Sequence, residues 1–179
     1  MRAIETIKNI WKIEDLRKRI ITTILLVLVY RAGTYVVLPG IDPQFLTQLR
    51  AQTSGGLMQL LDMFSGGAFS NASIFALGIM PYITASIVIQ LLGMALPYFQ
   101  KLQREGESGR RKLNQYTRYL TVFILLIQGP TYLVNLSVQM GGAFPTDILF
   151  TISSTIILTA GSMFIMWLGE RITDRGIGN

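Results

Sequence analysis

Apolar and polar stretches alternate along this 179-residue chain, and the longest apolar tract cannot be a single helix. Between Asp62 and Lys101 there are 38 residues without a charge, whereas ~20 apolar residues already cross a hydrocarbon core ~30 Å thick. The break falls at Gly66-Gly67, between Ser65 and the Ser70-Asn71 pair, residue types that favour turns and caps over helix interiors. The pattern therefore predicts a short element over 56–67 and a span over 72–96. The short element carries Leu57, Met58, Leu60, Leu61, Met63 and Phe64, with Gln59 and Asp62 as its strongly polar side chains. It is too short to cross a bilayer. Irregular backbone at membrane depth is tolerated only where it is buried in protein or lines a water-filled cavity, so a re-entrant piece here points to a hollow beside the second span. Near the start of that span Pro81, between Ile79 and Ile83, removes a backbone hydrogen bond.

The remaining apolar runs predict spans over 20–38, 116–140 and 148–169. Arg31 sits inside the first, toward its far end. It either faces a polar cavity within a bundle or snorkels to the nearer interface. Gln128-Gly129-Pro130 interrupts the third span, which predicts a kink and an amide in need of a partner. The fourth holds Ser153, Ser154, Thr155, Thr159, Gly161 and Ser162, small residues that let helices approach closely. Residues 1–19 place Ile4, Ile7, Trp11, Ile13 and Leu16 at roughly helical spacing among basic side chains. This reads as an interfacial amphipathic helix or, more plainly, as a solvated basic tail. A signal peptide is not predicted, because no small-residue cleavage pattern closes the first apolar run and Arg31 interrupts it. Polar connectors occupy 39–55 and 97–115, and a polar tail covers 170–179. That tail is expected to be poorly ordered unless something holds it.

The composition agrees with a multi-span membrane protein, with 50% hydrophobic and 15% charged residues and a mean hydropathy of +0.45. The net charge of +6 would suit nucleic acid, except that the basic residues lie at the ends of apolar runs. The leader has six Lys or Arg, the 97–118 region six and the tail two, against one in 39–55 and none in 141–147. By the positive-inside rule, four spans then put both termini and the basic loop with Arg104, Arg110, Arg111 and Lys112 in the cytoplasm.

Catalytic chemistry is poorly provided for, and no enzyme activity or cofactor is expected. The chain has no His and no Cys, which excludes imidazole bases, thiolate nucleophiles and the usual zinc sets. Asp62 is the one carboxylate close to the membrane, too few for a paired acid and base or for a proton relay. The Gly-rich pieces lack the lysine-bearing spacing of a phosphate loop. What remains is a wall. Ile79, Ile83 and Ile87 form an apolar stripe that would constrict a pore, or that simply faces lipid or neighbouring helices.

The run LDMFSGGAFSNASIFALGIMPYITASIVIQLL, followed by EGESGRRKLNQYTRY and GERITDRGIGN, resembles the SecY family of bacterial protein translocase subunits. PGID at 39–42 and the in-span Arg31 fit the same family. The resemblance runs along essentially the whole chain and covers the N-terminal half of the family's ten-span fold of two pseudo-symmetric halves. It implies an all-α inner-membrane channel that translocates unfolded secretory proteins and releases transmembrane segments sideways into lipid. Residues Leu57 to Gly67 would be its plug, Ile79 and Ile83 part of its pore ring, and Thr84, Ile87 and Gln128 part of one side of its lateral gate. It also implies partners: SecE and SecG, a ribosome or SecA on the cytosolic face, the translocating polypeptide, the bilayer and the opposite half of the channel. A fifth span is expected to follow Asn179. A self-contained four-span scaffold or assembly factor without a pore is the alternative reading, and it needs no plug.

Overall fold

The computed structural model describes residues 11–42, 46–47, 56–139, 145 and 147–178, and for Leu57 and Met58 the backbone alone. Most of the basic leader, and Arg50 of the 39–55 connector, lie outside these residues. Among the described residues the following helices succeed one another: Glu14–Gly33 (α1), Gly56–Phe64 (α2), Met80–Ala95 (α3), Pro97–Arg104 (α4), Glu107–Gln139 (α5) and Ile148–Arg175 (α6). Helix α5 packs against both α3 and α6, and α1 packs against α6.

By length and composition α5 and α6 are each able to cross a membrane, and α3 with α4 passes the same test as one span bent by 101°. The four crossings expected from the sequence are thus two that qualify outright and a third that qualifies as a bent pair. Helix α1 carries Glu14, Asp15, Arg17, Lys18, Arg19 and Arg31 among its 20 residues and buries none of them. Its helix also stops at Gly33, five residues before the predicted end of the first span. There Thr34 donates its hydroxyl to the Arg31 carbonyl at 2.7 Å, and the chain leaves in extended form to pair Val37 with Ser73 in an antiparallel bridge.

Local chemistry explains the other departures. The helical part of the predicted 72–96 span begins at Met80, and Pro81 falls in its first turn, where the missing N–H is one that no helix would use. The 97–115 connector is helical rather than a loop. Leu96 is extended (φ −110°, ψ 126°), as the residue before a proline prefers, and α4 turns away from it. Gly109 then lets α5 begin against α4, since a Cβ there would lie 1.7 Å from the Leu102 carbonyl oxygen. Pro130 sits within a continuous α5, beside Gly129, where α6 comes so close that a Cβ would lie 2.8 Å from Thr155 Cγ2. The polar tail is held rather than loose. Helix α6 runs on to Arg175, the Gly176 carbonyl accepts from Arg19 Nη1 at 3.3 Å, and the Ile177 N–H donates to Thr23 Oγ1 at 3.1 Å.

The deepest part of the molecule is not helical. Ala68, Ala72 and Ser73 are completely buried, and Phe75 and Ala76 nearly so, yet 65–79 is a succession of turns. Each buried polar backbone group needs a partner. The Leu38 N–H donates to the Ala72 carbonyl and the Ile74 N–H to the Val36 carbonyl, both at 2.9 Å. Tyr132 of α5 donates its hydroxyl to the Phe69 carbonyl at 3.1 Å, and Asn71 Nδ2 donates to the Thr34 carbonyl at 3.1 Å. Around this segment Leu38, Phe69, Ala72, Tyr132, Leu133, Leu136 and Leu158 form the main apolar core. On the α6 side Gly161 admits the Ile74 backbone, whose oxygen would lie 2.1 Å from a Cβ there.

Candidate functional site

Helix α2 ends because Gly66 turns it. With φ at +60°, Gly66 takes the left-handed conformation that closes a Schellman motif. The Gly67 N–H donates to the Asp62 carbonyl at 2.9 Å and the Gly66 N–H to the Met63 carbonyl at 3.2 Å. The Asp62 carboxylate reaches across the turn and accepts from the Ser70 N–H at 2.8 Å. Ser65 donates its hydroxyl to the Asp62 carbonyl at 3.1 Å and accepts from the Phe69 N–H at 3.0 Å. The chain therefore reverses at 65–67 in a tight knot, and α2 is folded back beside α3 and α5.

Between these elements lies a cavity of about 320 Å³. Leu61, Phe64 and Ser65 close one side of it, Ile79 and Thr84 a second, and Gln128 with Tyr132 a third. Three groups of residues chosen separately in the sequence thus meet around one space: part of the 56–67 element, one residue of the isoleucine stripe, and two polar residues from different spans. Its lining is mostly apolar. A second hollow, of about 350 Å³, opens on the other side of Ile79 and is polar, with Tyr82, Asn114, Arg118, Glu170, Thr173 and Asp174 on its walls. Arg118 Nη2 donates to both Glu170 oxygens at 2.7 Å across it. Ile79 borders both spaces and is half-buried at the start of α3.

The other chosen residues distribute as follows. Ile83 lies one turn beyond Ile79 and is 41% exposed, while Ile87 is 51% exposed and does not join Thr84 and Gln128 on the cavity wall. Met63 and Phe64 are 73% and 70% exposed, Phe64 while bordering the cavity. Gly67 completes the knot, and the side chains of Leu57 and Met58 lie outside the described residues. Arg104 ends α4, and Arg110, Arg111 and Lys112 stand exposed on the first turns of α5, Arg111 paired with Glu107 at 3.2 Å. Among the described residues no group of His, Cys, Asp and Glu side chains could hold a metal ion.

Sequence reasoning missed Tyr30. Its hydroxyl donates to the Ser65 carbonyl at 2.7 Å, and its ring stacks on Phe75 at 5.8 Å. Arg31, left between two roles, places Nη1 2.5 Å from the Gly66 carbonyl oxygen and its guanidinium over the Tyr35 ring. The available signal was their adjacency: two polar side chains at the end of an apolar run.

Comparison with known proteins gives one consistent result. The family model described as SecY matches residues 73–179. Over 167 residues the chain is 48% identical to the protein translocase subunit SecY of Pseudomonas aeruginosa, covering 93% of this chain and 38% of that protein. The subunits of the same name from Streptomyces galbus and Escherichia coli are each 46% identical, over 92% of this chain and 40% and 38% of theirs. The chain spans about two fifths of the length of these curated relatives.

Proposed function

This chain belongs to the SecY family, and from that premise we propose that it supplies the N-terminal part of a protein-conducting channel in the bacterial inner membrane. It would cross four times, with α1, α3, α5 and α6, and its basic clusters, including the end of α4, would lie in the cytoplasm. Unfolded secretory chains would pass through, and apolar segments would leave sideways past Thr84, Ile87 and Gln128. SecE and SecG, with a ribosome or SecA on the cytosolic side, would be its partners. The reading needs no catalytic step.

One observation carries it: the cavity that brings α2, the start of α3 and the middle of α5 together, with Ile79 at its border with a polar hollow. An apolar side chain between a polar vestibule and an apolar chamber suits a constriction that resists water and ions by dewetting. Ile79 and Ile83 would act as a gasket that yields to a moving chain without reading its sequence. Helix α2 would close one side of the chamber at rest as a plug. The test uses the full-length protein in planar bilayers. Deleting 57–65 is expected to raise resting ion conductance, and replacing Ile79 and Ile83 by Gly is expected to raise ion leak while a polypeptide is in transit. Unchanged conductance in both variants refutes the channel reading in favour of a pore-less four-span scaffold.

A further inference from the structure

We infer that Tyr30 and Arg31 of α1 form a latch that holds α2 in its resting position. The inference rests on the reading of α2 as a plug and concerns what regulates it. Three observations support it. The two side chains act on two successive carbonyls, Ser65 and Gly66, at the point where α2 reverses. Those carbonyls belong to the same hydrogen-bonded knot as the end of α2, because the Gly66 and Gly67 N–H groups donate back to Met63 and Asp62. Gly67, with φ at +86°, joins this knot to the residues that follow, and the bonds from the Phe69 and Ser70 N–H groups to Ser65 and Asp62 cross the same joint. On its far side Ala68 to Ser73 is locked in the core.

If α2 swings away about the 66–67 turn, both contacts from α1 break during opening, together with the bonds that Ser65 and Asp62 make to Phe69 and Ser70, and all reform on closing. A helix that leaves most of Met63 and Phe64 exposed has limited apolar contact to hold it, so polar contacts at its base carry more of the closed state. The two contributions differ in kind. Tyr30 is fixed by its stack on Phe75 and presents a neutral donor. Arg31 presents a charged one, and hydrogen bonds to charged groups are the stronger class.

The experiment compares resting conductance of the full-length protein, unsubstituted and with Tyr30→Phe, Arg31→Gln or both. Tyr30→Phe keeps the stacked ring and removes only the hydroxyl, so the packing around it is retained, and the position of α2 is read independently. A cysteine placed at Phe64 reports it by its rate of reaction with a membrane-impermeant thiol reagent. Open-state population is expected to rise about fivefold with Tyr30→Phe and at least tenfold with Arg31→Gln, with thiol reaction at position 64 changing in parallel. Deletion of 57–65 serves as the reference. If deletion raises conductance and neither latch variant changes conductance or labelling, the latch is refuted and the plug stands. If deletion itself has no effect, the plug reading falls and the latch falls with it.

Discussion

Replacing Gly161 by Ala tests the claim that the non-helical core is fixed by backbone-to-backbone contact with α6. A Cβ at Gly161 would lie 2.1 Å from the Ile74 carbonyl oxygen and 3.2 Å from the Phe75 ring. Reaching an ordinary contact of 3.4 Å requires the carbonyl to retreat by about 1.3 Å. It has little room to do so, since the Ile74 N–H is bonded to Val36 and Phe75 is stacked between Tyr30 and Phe164. Overpacking of this kind costs about 1–3 kcal/mol. Alanine in a helix interior otherwise gains about 1 kcal/mol over glycine, so the sign of the result is informative. Gly93→Ala is the control, because the atom met there is the far end of the flexible Gln103 side chain, at 1.9 Å. In denaturant titrations of the full-length protein in detergent, Gly161→Ala should lie about 1–3 kcal/mol below Gly93→Ala, because the propensity gain is common to both and cancels. Equal stability of the two variants would refute the argument.

Two further outcomes are expected. Thr23→Ala removes the acceptor of the Ile177 N–H, so trypsin should cut after Arg175 several-fold faster in limited proteolysis, and an unchanged rate would show that the tail is held by other contacts. Asn71→Ala leaves the buried Thr34 carbonyl without its amide donor, which should cost about 1–3 kcal/mol in the same titrations, whereas a change below about 0.5 kcal/mol, the scatter of surface substitutions, would contradict the bond.

Much of the architecture was legible in the sequence because charge and glycine mark it plainly. The charge-free tract and Gly66-Gly67 located a short reversing element, and Gly66 does turn α2 back. The small residues of the 148–169 run include Gly161 and Gly129's neighbour Thr155, which sit at close approaches of backbone or side chain. What was not legible depends on partners distant in sequence. The first span's helix stops at Gly33 because residues 36–38 find backbone partners at 72–74, which no local pattern announces. Pro130 marked an interruption, yet α5 continues through it. Thr84 and Gln128 both line the cavity and Ile87 does not, a distinction that spacing along one helix cannot make. Tyr30 was hidden in an apolar run because only its hydroxyl, and not its ring, has a role that composition would flag.

Helix α1 has an unusual mode of attachment: nothing in it is buried, yet Arg19 and Thr23 grip residues 176–177 while Tyr30 and Arg31 grip residues 65–66. Arg19 and Tyr30 are about 16 Å apart along the axis at 1.5 Å per residue. A single exposed helix thus ties the residues that follow α6 to the turn that ends α2, with no buried side chain of its own.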